Sequence, residues 1–139
     1  MMAGIVHPQA LSRIDDLAPM RASVMRFLAP LALPQRVLHD VDIVPEELFM
    51  NIVLHAHEDG RAHAVDLRVE LAPELIRLLF EDRGRPFDPT GRTEAEHPRS
   101  IAQARPGGLG LHLVRQHSTS MSYARRNGCN SMSVTIGRR

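Results

Sequence analysis

Aromatic side chains are scarce in this chain, at 4% of 139 residues, so a core has to be filled mainly by Leu, Val, Ile and seven Met. Cysteine is scarcer still. Cys129 stands alone, which excludes an internal disulfide and with it the disulfide scaffolds of small secreted domains. Neither sign of charge dominates: a formal net charge of +1 gives no footprint for nucleic acid, whose binding modules carry a basic excess on one face. No apolar run approaches the ~18 residues that span a bilayer. The start of the chain shows no basic segment followed by an apolar stretch of signal type. Internal repeats and low-complexity tracts are missing too. These absences lead us to expect a cytoplasmic protein with no membrane and no direct nucleic-acid partner, folded as one domain over residues 1–139.

The apolar pattern supplies the elements. Leu17, Met20, Val24, Phe27 and Leu28 recur at intervals of three and four, which predicts a helix with one buried face. Ser12, Asp15 and Asp16 offer cap-type residues and negative charge at its start, and Pro30 ends it. A second helical stretch runs from near Pro34 to about His57, with Val37, Leu38, Val41, Val44, Leu48, Ile52 and Val53 as core positions. Pro45 lies inside it, so a kink or a fresh helix start is expected there. After Gly60 the period changes to two, and Ala64 to Val69 and Leu75 to Phe80 read as strands joined by a turn at Pro73-Glu74. Residues 88–105 lose apolar periodicity and read as a long loop of the functional kind. A short helix from about Leu109 to His117 follows, then a hairpin around Asn127-Gly128. The economical assembly is α+β: a two-layer sandwich whose antiparallel or mixed sheet is covered by helices on one face.

Three motifs carry chemistry. Glu47, Asn51 and His55 are each four residues apart, so they share one helix face. Asn offers an amide oxygen suited to hard Mg2+, and Glu a base or water-positioning group beside a phosphate. Alone, polar residues at every fourth position are usually only a solvated helix face. Asp82, Gly84, Pro86, Phe87, Asp88 and Pro89 follow the apolar strand. A carboxylate emerging there accepts from an exocyclic amine such as that of adenine, while Gly84 lets the backbone pass close to a ring; an ordinary turn is the plain alternative. Gly107, Gly108, Leu109, Gly110 and Leu111 open a helix, where backbone N–H groups and the helix dipole favour a phosphate; a simple hinge is the alternative. No Gly-Lys-Ser/Thr follows and no strand immediately precedes, so this is neither the Walker nor the dinucleotide pattern.

Together the motifs resemble the N, G1 and G2 boxes of the GHKL ATPase superfamily, in the right order. The wording at Glu46 to His55, Glu81 to Pro89 and Gly107 to Leu111 is similar to that of the anti-sigma factor serine/threonine kinases, as is the tail through Tyr123, Arg126, Gly128 and Asn130. The resemblance covers about Leu17 to Ile136. It implies a Bergerat-type fold with a mixed, mostly antiparallel sheet. It also implies an ATP- and Mg2+-dependent protein kinase that phosphorylates an anti-sigma factor antagonist and sequesters a sigma factor. On the same basis Asn51 holds Mg2+, Glu47 is the base, Asp82 holds adenine with Gly84 beneath it, and 88–105 forms the lid. Gly108 and Gly110 meet the phosphates, and Arg105, ahead of Arg99, reaches the γ-phosphate; His55, Phe87, Gly107 and Leu109 fall within the same nucleotide-binding motifs. Members of this branch often dimerise.

Some positions depart from that pattern. Pro45 falls where the family keeps an unbroken helix, Ser118-Thr119-Ser120 replaces a stretch that usually holds an acidic residue, and the N-terminal strand is reduced to Gly4-Ile5-Val6. Two other readings follow from these features. Pro45 favours a non-catalytic ATP-binding partner switch, and a catalytic fragment of a sensor histidine kinase is disfavoured because no helix with a phosphoacceptor His precedes the domain. A structural metal at His55, His57 and His63 is set aside because His55 and His57 point to different sides of a helix. Cys129 is placed in an exposed turn with no general-base partner.

Overall fold

The computed structural model describes residues 2–5, 14–53, 65–84, 86, 88 and 108–139. Helix α1 (Leu17–Leu28) buries Met20, Val24 and Leu28, the stripe that the spacing of three and four predicts. Asp16 takes its N-cap position without a side-chain capping bond, so Asp15 and Asp16, in the 3-10 turn just before it, act through charge at the positive end rather than as caps. Pro30 lies in a 3-10 turn, Ala29–Leu31, that closes the helix, and Ala32 then turns the chain with a φ of 48°.

Helix α2 (Gln35–Asn51) starts where Leu38 N–H donates to the Pro34 carbonyl at 3.0 Å. It continues through Pro45 as one element, and no fresh helix starts there. A proline inside a helix costs about 3 kcal/mol through its lost donor and crowding. Burial of Leu48 and Phe49 in the following turn is worth a similar amount, at roughly 1.5–3 kcal/mol for each such side chain. Tertiary burial therefore carries the helix across its proline. Ile52 and Val53 continue as a π-type turn, and residues 54–64, with His55, His57, Gly60 and His63, lie outside the described residues.

Five strands form one sheet: β1 (Met2–Ile5), β2 (Val65–Leu71), β3 (Leu75–Asp82), β4 (Ser120–Arg126) and β5 (Cys129–Gly137), in the order β1-β2-β3-β5-β4. All four pairings are antiparallel. The short N-terminal strand exists, shifted two residues earlier than Gly4-Ile5-Val6, because Met2 to Ile5 find partners in Leu71 to Arg68 of β2. The turn between β2 and β3 is closed by Ala72 N–H donating to Leu75 O at 2.9 Å. Asn127 and Gly128, with φ of 52° and 74°, make the left-handed pair that matches strand twist in a two-residue hairpin. Cys129 is consequently the first residue of β5 and partly buried, a correction to its expected place in an exposed turn.

Alternation in β3 and β5 buries every second residue, so one sheet face meets the helices. Helix α3 (Gly108–Gln116) packs on α2 and contributes Val114 to the core. The interior is aliphatic apart from Phe49 and Phe80, as the shortage of aromatics requires. No helix among the described residues is long and apolar enough to cross a membrane.

Candidate functional site

The last turn of α2 and the C-terminal end of β3 meet at a small cavity of about 10 Å³, enough for one water molecule. Leu48, Asn51, Ile52 and Met132 line it together with Asp82, Tyr123 and Asn130. Asn51 and Asp82 thus share one space although 31 positions separate them in sequence. Both are nearly fully buried, with exposures of 3% and 4%.

Burial makes their hydrogen bonding decisive, because an unpaired buried polar group costs free energy. Asp82 is anchored through Oδ1 alone: Gly84 N–H donates to it at 2.9 Å and Asn130 Nδ2 at 3.1 Å. Oδ2 receives no bond among the described residues. Asn130 is held in turn by the Tyr123 hydroxyl, which donates to its Oδ1. Arg125 Nη1 donates to the Gly84 carbonyl at 2.7 Å and fixes the turn after β3.

Asn51 behaves differently. Its Nδ2 is buried and has no hydrogen-bond partner among the described residues. The unmet N–H group calls for an acceptor such as a phosphate oxygen, while the amide oxygen is of the hard type that Mg2+ takes. The donor chemistry of Asn51, with a carboxylate one turn earlier at Glu47, therefore fits a magnesium-phosphate ligand. Glu47 is half-buried, and desolvation, followed by the like charge of Glu46, raises its carboxyl above the usual value. Such a shift moves a carboxylate toward the range of a general base.

The remaining expected positions divide in two. Gly84 is buried beside Asp82, and Gly108, Leu109 and Gly110 form the first turn of α3, a helix that packs on α2. His55, Phe87, Arg99, Arg105 and Gly107 lie outside the described residues, as does most of the segment 88–105. Among the described residues no group of three or more His, Cys, Asp or Glu could hold a metal ion. The roles of Tyr123 and Asn130 are absent from the motif reading. The available signal was the phase of β5: Asn130 falls in register with Met132, Val134 and Ile136, which are all buried, so a polar residue there needs a partner.

Residues 11–136 match the family model described as the histidine kinase-like ATPase domain. Over 100 residues the chain is 33% identical to serine/threonine-protein kinase BtrW of Bordetella bronchiseptica, across 72% of this chain and 70% of that protein. The RsbU and RsbW domains of Rv1364c from Mycobacterium tuberculosis are similar in structure, with a TM-score of 0.64 and 16% identity; the match covers 100% of this chain and only 34% of that one. The histidine kinase domain of a blue-light activated histidine kinase from Erythrobacter litoralis matches with a TM-score of 0.56 and 16% identity, over 96% of this chain and 66% of that one. At such identities the two structures speak for the fold alone.

Proposed function

The chain belongs to the histidine kinase-like ATPase domain family, and from that premise we propose that it is an ATP-binding serine/threonine protein kinase of the anti-sigma type. Its phosphoacceptor is an anti-sigma factor antagonist, and its regulated partner a sigma factor, in the cytoplasm. The observation that carries this reading is the convergence of buried Asn51 and buried Asp82 on one cavity, with Glu47 one turn before Asn51. The 33% identity to a named serine/threonine kinase supports phosphotransfer as the activity.

In this reading Asp82 accepts from the 6-amino group of adenine. The cavity admits a bridging water but no ring, so the amino edge of the purine meets it at the mouth. Asn51 is the residue that would hold Mg2+, which when bound offsets negative charge on the phosphates. Glu47 takes the proton of the attacking hydroxyl, a task suited to a carboxyl that burial has made more basic. The glycines at the start of α3 offer backbone N–H groups to phosphate, and Arg105 supplies a cation for the charge that develops in transfer. Catalysis is then mostly positioning and charge stabilisation. Pro45, inside an α2 that continues past it, remains the feature on which a switch without catalysis would rest.

The test is direct. The chain is incubated with labelled ATP, Mg2+ and the antagonist protein, alongside Glu47→Ala and Asn51→Ala variants. Label on a serine or threonine of the antagonist, lost in both variants, is the expected result. ATP binding without any transfer by the unaltered chain would sink the kinase reading.

A further inference from the structure

We propose that Tyr123 and Asn130 set the base preference of this nucleotide site, acting as positioning residues that reserve one oxygen of Asp82 for the exocyclic amine of the ligand. The inference rests on the ATP reading above and adds what decides the base. It follows from the donor and acceptor inventory of three side chains.

An ionised carboxylate only accepts, so the carboxamide of Asn130 has to turn Nδ2 toward Asp82. Its Oδ1 then faces the opposite way, where it can only accept, and the Tyr123 hydroxyl donates to it. Each link thus fixes the polarity of the next. The Gly84 N–H adds a second donor to the same Asp82 oxygen, and Arg125 holds that turn through the Gly84 carbonyl. With Oδ1 occupied by two donors, Oδ2 is the oxygen presented to a ligand. An amine placed there is bound, whereas a 6-oxo group at the same place sets two acceptors face to face.

The sheet supplies the geometry. Asp82 and Asn130 lie directly opposite each other in the β3–β5 pairing, and Tyr123 stands opposite Met132, two residues from Asn130 on the same face. Such diagonal neighbours lie within reach of a long aromatic side chain. Asn130 is 3% exposed, so loss of the tyrosine hydroxyl leaves its Oδ1 without that donor in an interior where bonds are costly to lose. Carboxamide and carboxylate are then freer to rotate, and Oδ2 is no longer reserved.

Calorimetric titration of the full chain with ATP and with inosine triphosphate, in Mg2+, tests this on wild type and Tyr123→Phe. Wild type should prefer ATP. Tyr123→Phe should weaken ATP binding about fivefold, the worth of one hydrogen bond, and change inosine triphosphate binding far less, so the preference narrows by nearly the same factor. An undiminished preference in the variant overturns the relay and leaves the ATP reading intact; failure of wild type to bind ATP overturns both. A second measurement needs no variant. The side-chain amide protons of Asn130, followed by NMR, should exchange slowly with solvent, and exchange at the rate of a free carboxamide would also overturn the proposal.

Discussion

His117 Nδ1 lies 2.8 Å from Oδ1 of Asp40, so the residue just after α3 is tied to a carboxylate in the buried stripe of α2. Arg36, one turn before Asp40, stands 3.5 Å from its other oxygen, and the His39 ring meets that of His117 edge-on at 5.4 Å. The pair anchors the far end of the helix whose first turn holds Gly108 and Gly110. Removing the imidazole strips a buried carboxylate of its shortest partner while Arg36 remains. His117→Ala should therefore cost about 1–3 kcal/mol in urea denaturation, toward the lower end, with Asp40→Asn milder because an amide still bonds to the ring.

Asn51 presents the opposite case, a buried group held against the interest of stability. Replacement by leucine, of similar shape, removes the unpartnered Nδ2 from the interior. Asn51→Leu should raise stability by about 1 kcal/mol, or a few degrees in thermal melting, while abolishing Mg-ATP binding in calorimetry. A melting temperature that falls by several degrees would argue that the carboxamide already has its partner in the folded chain.

The pH dependence of Glu47 has a definite sign. Its folded carboxyl holds a proton more tightly than the reference value of 4.5, because desolvation, then Glu46, opposes ionisation. The resulting stabilisation is complete below about pH 4.5 and is lost as pH rises through the folded value. Glu47→Gln stays neutral throughout. The melting temperature of the glutamine variant minus that of wild type should grow from about pH 4.5 upward and then level off, as read by calorimetric scans at successive pH values. A flat difference would place Glu47 in a solvated setting and remove its case as a tuned base.

Asp82→Asn keeps a carbonyl oxygen for the Gly84 N–H and the Asn130 amide, so the fold should survive nearly unchanged. The second oxygen becomes an NH2 group, a donor facing the donor of adenine. ATP affinity should drop at least tenfold by calorimetry, with a melting temperature within a few degrees of wild type. Equal affinity would remove Asp82 from base recognition.

Where the chain advertises one strong period, its structure can be read from sequence. The stripe of α1, the switch to period two after residue 60 and the Asn127-Gly128 turn each follow from a local rule, and each appears within a few residues of its expected place. Elements that depend on distant partners were less legible. Met2 to Ile5 carry no alternating signature and become a strand only through pairing with β2. Pro45 has a local penalty that burial elsewhere outweighs, which a local rule cannot register. At the site, the helix spacing singled out Asn51 and the strand-end position singled out Asp82, but no spacing rule brings α2 and β3 together around one cavity. Asp40 and Asn130 were legible in principle, since each is a polar residue in the phase of a buried stripe, the first between Val37 and Val41 and the second ahead of Met132.

The hairpin closed by Asn127 and Gly128 carries both Tyr123 and Asn130, only seven residues apart. On the reading proposed above, the two residues that orient Asp82 therefore sit in one contiguous hairpin, while Asp82 itself and the proposed phosphate-facing groups Glu47 and Asn51 lie upstream. Exchanging that hairpin for a relative's would change how firmly the Asp82 carboxylate is held and leave Glu47 and Asn51 untouched.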